Sequence, residues 1–106
     1  DLAARDVEIW ITELDVDDAA FPGSPAERDA LVAETYRAVL DTALDEPKVT
    51  TVITWELADG FSHYRDQRGG EARPLPFDRE LKPKPAFDAM VAAFAARGRR
   101  RAQPSP

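Results

Sequence analysis

The sequence predicts an α/β fold with parallel strands, and three features carry that prediction. Two apolar segments rich in β-branched residues each lead into a segment of helical periodicity, giving the order β-α-β-α. In an α/β fold that order implies parallel strands joined by right-handed crossovers. Two parallel strands do not bury both of their faces alone, so these elements ask for a larger sheet.

The first strand is expected from Val7 to about Leu14. Strict alternation places Val7, Ile9 and Ile11 on one face together with Glu13, toward an interior. Polar punctuation follows from Asp15 to Asp18, and Phe21-Pro22-Gly23 reads as a turn. A helix opens at Ser24-Pro25-Ala26-Glu27, where Ser24 suits the N-cap, Pro25 the first helical position and Glu27 a capping box. Leu31, Val32, Tyr36, Val39, Leu40, Ala43 and Leu44 then form one apolar stripe, and Pro47 blocks continuation.

The second strand is expected from Val49 to about Leu57, with the Thr, Val and Ile content of a strand buried on both sides. The irregular stretch from Ala58 to Lys82 carries Gly60, Gly69, Gly70, Pro74 and Pro76; a loop that long in a compact domain is usually functional or a lid. A second helix starts near Pro85, presents Phe87, Met90, Val91 and Phe94 on one face, and is expected to stop at Gly98 as its C′ residue.

Composition narrows the function classes. The chain has 106 residues, 43% hydrophobic and 32% charged, which fits one small globular domain and argues against a disordered chain. No apolar run approaches the roughly 20 residues that span a bilayer, so no membrane role is expected. A net charge of −6, from 20 acidic and 14 basic residues, argues against a nucleic-acid partner. The exception is the end, where Arg97, Arg99, Arg100 and Arg101 precede Gln103-Pro104-Ser105-Pro106. This reads as a frayed, solvated tail, with a docking patch for an anionic partner as the alternative.

The absence of cysteine excludes disulfides, Cys-ligated metals and thiol catalysis. A single histidine, His63, excludes a His-rich metal site, and no metal or cofactor is expected. The first residues, Asp1-Leu2-Ala3-Ala4-Arg5-Asp6, show neither an initiator Met nor an apolar leader, so processing or a start inside a longer gene is expected.

Two strand ends carry candidate chemistry. Glu13 ends an apolar strand, and in parallel barrels that end holds the active site. A carboxylate facing an interior is costly unless it is paired or working. On pattern alone, an acid that caps the loop or faces solvent remains the favoured alternative. Trp55 ends the second strand on the same parity as Ile53, where a flat aromatic face suits the C–H groups of a sugar ring; a core Trp is the alternative. A lone His63 in a loop is more often a surface or packing residue than a catalyst.

Five segments in order resemble glycoside hydrolase family 10, the endo-1,4-β-xylanases. Ile11-Thr12-Glu13-Leu14-Asp15-Val16 is similar to the family's nucleophile strand. Ile53-Thr54-Trp55-Glu56-Leu57-Ala58-Asp59 resembles its eighth strand, where Gly usually follows the Trp. Phe61-Ser62-His63-Tyr64 stands where Tyr-Ser-Trp is usual. Pro74-Leu75-Pro76-Phe77-Asp78 and Lys84-Pro85-Ala86-Phe87 resemble the family's Pro-Leu-Leu-Phe-Asp and Lys-Pro-Ala-Tyr. The matches span Glu8 to about Phe94.

The resemblance implies a (β/α)8 TIM barrel, of which this chain supplies the seventh strand, seventh helix, eighth strand and eighth helix. Residues 1–96 are then the C-terminal quarter of the catalytic domain, and 97–106 a basic, Pro-containing disordered tail. It implies Glu13 as the nucleophile of a retaining hydrolase acting on xylan or a related plant cell-wall polysaccharide. Asp15 matches an acid that holds a histidine orienting the nucleophile, and that histidine comes from an earlier strand. Trp55 and His63 fall at substrate-binding positions, His63 replacing a Trp that covers the sugar nearest the cleavage point. Parity turns Glu56 away from the barrel interior, a structural position. The acid/base carboxyl belongs to the fourth strand, so the N-terminal barrel strands are required partners and the chain alone is expected to be inactive. The family also implies a secreted or periplasmic protein.

Overall fold

The computed structural model describes residues 1–65, 67–68 and 71–103; Gly69, Gly70 and the last three residues of the expected tail lie outside the described residues. After a short 3-10 turn at Leu2–Ala4, the elements are β1 (Ile9–Leu14), α1 (Pro25–Leu44), β2 (Val49–Thr54), a second 3-10 turn (Asp59–Phe61) and α2 (Pro85–Ala102). β1 and β2 pair in parallel, as the β-α-β order requires.

The boundaries follow from local chemistry. β1 begins at Ile9, whose N–H donates to the Lys48 carbonyl at 2.8 Å; Val7 lies outside the ladder and is exposed. α1 starts as its sequence predicts, with the Ser24 hydroxyl accepting the Glu27 N–H at 3.2 Å and Pro25 at the first position. Gly23 ahead of it has φ +99°, and the Glu27 carboxylate occupies the space a Cβ would need. The positive φ is what favours glycine there, since the Glu27 carboxylate is the end of a flexible side chain that can move aside. β2 ends at Thr54 and not Leu57: Trp55 N–H donates to the Leu14 carbonyl at 2.9 Å, and Glu56 then turns to φ +81°, which leaves the extended region.

Both helices cover one face of the sheet. Leu40, Leu44, Val49 and Ala93 form one buried cluster, against which Ile9, Ile11, Leu14, Val52 and Met90 pack. Val16, Val32, Tyr36 and Ala86 form a second, joined to the first through Leu14 and Met90. The other face is bare. Trp10 is 57% exposed and Ile53 46%.

Two expectations change here. The helix expected to stop at Gly98 runs through it to Ala102, so residues 97–102 of the predicted disordered tail are helical. An internal glycine costs a helix about 1 kcal/mol, which its surroundings readily offset. The Arg97 guanidinium donates to the Val49 carbonyl and, at 3.1 Å, to that of Pro47, tying the last turns to the start of β2. Arg99, Arg100 and Arg101 in the last turn also suit the negative end of the helix dipole.

The second change concerns strand parity. Ile11 pairs with Val52, and Leu14 with Thr54, so β1 spends one residue more than β2 between these points. Such a bulge reverses the alternation beyond it. Ile9 and Ile11 face the helices and so does Leu14, which places Glu13 opposite them. The shared face predicted for Ile9, Ile11 and Glu13 does not exist.

The long segment after β2 is pinned down. Asp59, 1% exposed, accepts from Leu75 N–H at 3.0 Å and from Lys84 Nζ at 2.8 Å. Tyr36 donates its hydroxyl to the Pro74 carbonyl at 2.7 Å, which also accepts the Val16 N–H at 3.2 Å. Arg73 grips Asp29 on α1 with two bonds, at 2.6 and 2.8 Å. Asp18, fully buried, takes the Arg28 guanidinium, Arg68 at 2.5 Å and Arg73 N–H at 3.0 Å.

Candidate active site

Because the strands are parallel, the segments leaving β1 and β2 emerge at the same end of the sheet, the end where α/β barrels place their chemistry. Glu13 is the penultimate residue of β1 and is exposed. Among the described residues no hydrogen bond or ion pair engages it. The bulge turns it to the face without helices, the side that closes to an interior in a barrel.

Trp55 follows β2 directly and is 43% exposed. Its alternation with Ile53 assigns it to the same helix-free face. Glu56, at φ +81°, breaks the strand and is exposed. Its geometry serves the turn.

Asp15 and His63 come together. Asp15 leaves β1 and its side chain is 14% exposed; His63 follows the second 3-10 turn with its side chain 46% exposed, and Nδ1 stands 3.5 Å from Asp15 Oδ2. Burial pushes the Asp15 carboxyl up, the neighbouring imidazole pulls it down, and Asp17 adds to the rise; the outcome is a raised pKa. The pairing joins two residues that sequence reading treated separately. Tyr64 was not singled out, yet its ring centroid lies 3.9 Å from that of His63 with the planes tilted by 38°. The adjacency of two ring-bearing residues in the loop was the available signal.

Among the described residues no group of three or more His, Cys, Asp or Glu side chains gathers as a metal site would require. Among the described residues no helix is long and apolar enough to cross a membrane.

Comparison with known proteins bears on this arrangement. The model of glycosyl hydrolase family 10 matches residues 1–93. Endo-1,4-beta-xylanase C of Phanerodontia chrysosporium is 31% identical over 97 residues, covering 89% of this chain and 23% of that protein. Native xylanase 10B from Thermotoga maritima superposes with a TM-score of 0.73 at 29% identity, covering 84% of this chain and 27% of its own. Xylanase 10B from Thermotoga petrophila, solved with xylobiose, gives the same score, identity and coverage. The chain thus spans about a quarter of the length of the relatives it matches. With 93 residues under one family model, the chain belongs to glycosyl hydrolase family 10 and forms a β-α-β-α portion of its TIM barrel.

Proposed function

We propose that the chain supplies the nucleophile and part of the sugar cleft of a retaining endo-1,4-β-xylanase. The observation that carries this reading is the state of Glu13: an exposed carboxylate, unengaged among the described residues, at the C-terminal end of a parallel strand and on the helix-free face. Such a group is free to attack an electrophile, whereas a paired one must first give up its partner.

In this reading Glu13 attacks the anomeric carbon of the xylose unit as the glycosidic bond to the leaving chain breaks, forming a glycosyl-enzyme ester. Water then attacks the same carbon and releases Glu13, so the anomeric configuration is retained. Retention calls for a second carboxyl about 5–5.5 Å away that gives a proton to the leaving oxygen and later takes one from water. Asp15, Glu56 and Asp59 do not serve: Asp15 faces His63, Glu56 forms the turn, and Asp59 is locked to Lys84. The acid/base therefore comes from the N-terminal strands of the barrel, and the 106 residues alone are inactive. Asp15 holds the histidine that an earlier strand of the barrel supplies to orient the nucleophile, while Trp55 and His63 line the cleft and pack against sugar.

The C-terminal placement of residues 1–96 in the barrel is part of the same proposal. So is a secreted or periplasmic location, because a polymeric wall polysaccharide is met outside the cytoplasm. A related β-glycanase acting on another polysaccharide is the second reading, favoured by the imidazole of His63 at the cleft. A non-catalytic barrel fragment is the third.

The test uses the complete protein that carries this chain, assayed on xylan and on mixed-linkage β-glucan beside Glu13→Gln. The variant loses at least ~10³-fold in kcat on the true substrate. Unchanged turnover in the variant removes Glu13 from the chemistry. Turnover of glucan in preference to xylan selects the second reading, and no turnover of either by the parent selects the third.

A further inference from the structure

We infer that the arginines closing α2 form a docking patch for a uronate-bearing, acidic polysaccharide, at the end of the sheet opposite Glu13; the choice of a wall polymer as occupant rests on the function proposed above.

The structure turns these arginines from a tail into a fixed surface. α2 carries Arg97, Arg99, Arg100 and Arg101 in helical order to Ala102. Two of them hold the turn in place: Arg97 donates to the Val49 and Pro47 carbonyls, and Arg101 reaches the Pro47 carbonyl at 3.4 Å. Arg99 and Arg100, between these anchors, are exposed. Among the described residues no hydrogen bond or ion pair engages either side chain. Both also lie away from the exposed apolar stripe of α2. At about 100° per residue, Arg100 falls nearly opposite Phe87, Val91 and Phe94, and Arg99 falls outside that stripe.

The positive charge exceeds what folding uses. The C-terminal end of a helix carries only about half a negative charge. Nearby acids are few: Asp45 lines a cleft with Arg97, Arg100 and Arg101, and Glu46 attracts Arg97. Lys48 adds a further cation, with Asp6 at 3.6 Å. Burial pushes the Arg97 guanidinium pKa down, and repulsion from Arg101 and Arg100 lowers it further, as crowded like charges do. A chain of net charge −6 thus presents a concentrated cationic site.

The chemistry of that site selects its partner. Guanidinium groups pair with carboxylates through two parallel bonds, and a polyuronate offers carboxylates in series. A membrane surface fits less well, because an interfacial helix sinks large apolar side chains beside its cations. The exposed neighbours of Arg99 and Arg100 on the helix are small or polar: Ala95, Gly98, Ala102 and Gln103. Arg97 is tied to Val49, the first residue of β2, whereas Trp55 follows the last. A rise of about 3.3 Å per residue sets these ends about 20 Å apart, so the polymer is held without entering the cleft.

Surface plasmon resonance of the complete protein over immobilised polygalacturonate tests the inference, beside neutral mixed-linkage β-glucan and vesicles of equal parts phosphatidylcholine and phosphatidylglycerol. The parent binds polygalacturonate, and Arg99→Gln combined with Arg100→Gln weakens that binding about 5-fold. Lysine at both positions keeps most of it. Raising sodium chloride from about 20 to about 300 mM weakens the parent about 10-fold and the double Gln variant less. A role confined to neutralising the helix end gives a lowered melting temperature with polygalacturonate binding unchanged, and overturns the inference. So does preference for the vesicles, or binding indifferent to salt. A parent that hydrolyses xylan but does not bind polygalacturonate sinks this inference alone. One that binds polygalacturonate through Arg99 and Arg100 yet hydrolyses no polysaccharide sinks the proposed function and leaves the patch standing.

Discussion

Lys84→Met is the substitution whose cost is most fully determined by the structure. Lys84 precedes α2, and its side chain caps nothing; it runs inward, 3% exposed, to Asp59, itself 1% exposed. Its Nζ lies 2.8 Å from Asp59 Oδ2, 2.9 Å from the Arg73 carbonyl and 3.5 Å from Asp29 Oδ1. Methionine keeps the stem and removes the ammonium. Asp29 retains both bonds from Arg73, at 2.6 and 2.8 Å, so the uncompensated charge falls on Asp59, left with the Leu75 N–H alone. Breaking a buried pair on one side costs about 3–5 kcal/mol. With a urea dependence of about 3 kcal/mol per molar, the unfolding midpoint of the complete protein drops by about 1–1.7 M.

The loss also has a sign in pH. Burial already pushes the Asp59 carboxyl above its ordinary value of 3.8, against the pull of Lys84, the Leu75 N–H and Arg73. Without Lys84 it rises further, so the folded variant takes up a proton more readily than the unfolded one. The deficit is then largest near neutral pH and shrinks as pH falls through the raised value. Adding Asp59→Asn to Lys84→Met removes the buried charge and recovers most of the stability. A midpoint shift under about 0.3 M, or a deficit equal at pH 7 and pH 4.5, refutes the reasoning.

Two further outcomes follow from the same surfaces. Burial pushes the Asp18 carboxyl up, but the Arg73 N–H and the Arg68 and Arg28 guanidiniums outweigh it and hold it below 3.8. Its contribution is therefore complete above that value and is lost as pH falls through the lower folded one; urea midpoints of the complete protein decline below about pH 4, and less steeply in Asp18→Asn, an equal slope in both contradicting the assignment. The 106 residues on their own carry Trp10 at 57%, Val91 at 50% and Ile53 at 46% exposure, so sedimentation of the isolated chain gives self-associated species, and a cooperative monomeric melt contradicts this.

The order of elements was legible because it rests on local chemistry. Ser24 and Pro25 start α1 wherever the chain goes, Pro47 cannot continue it, and the Thr and Val of residues 49–54 favour a strand. The strand-end motifs through Phe87 made the family legible as well, and the match over residues 1–93 agrees. The misplaced features depend on partners far along the chain. Gly98 reads as a stop until Arg97 is seen bonded to carbonyls about 50 positions earlier, at Pro47 and Val49. The face of Glu13 depends on how many residues β1 uses between its pairings with Val52 and Thr54, and no alternation pattern within one strand records that. The grip of Arg28, Arg68 and Arg73 on Asp18 and Asp29 is equally silent in the sequence, where these residues are ordinary loop and helix charges.

The same ionic arrangement bears on which acid is available for chemistry. The carboxylates that folding buries are each matched to cations and N–H groups: Asp18 to three donors, Asp29 to Arg73, Asp59 to Lys84 and Leu75. Each match has a structural purpose, since together they clamp the segments after β1 and β2 onto α1. A group so engaged makes a poor nucleophile, because its lone pairs are spent and its release loosens the fold. Asp15 is an intermediate case, half withdrawn and facing an imidazole that is itself exposed. Glu13 stands at the other extreme, one residue before the end of a strand that the clamp holds rigid, with no partner among the described residues. Rigid backbone and a free carboxylate are the combination that attack on a positioned carbon requires. The bulge that reverses the parity of β1 supplies the remaining condition, by turning that carboxylate away from the helices and toward the space the rest of the barrel encloses.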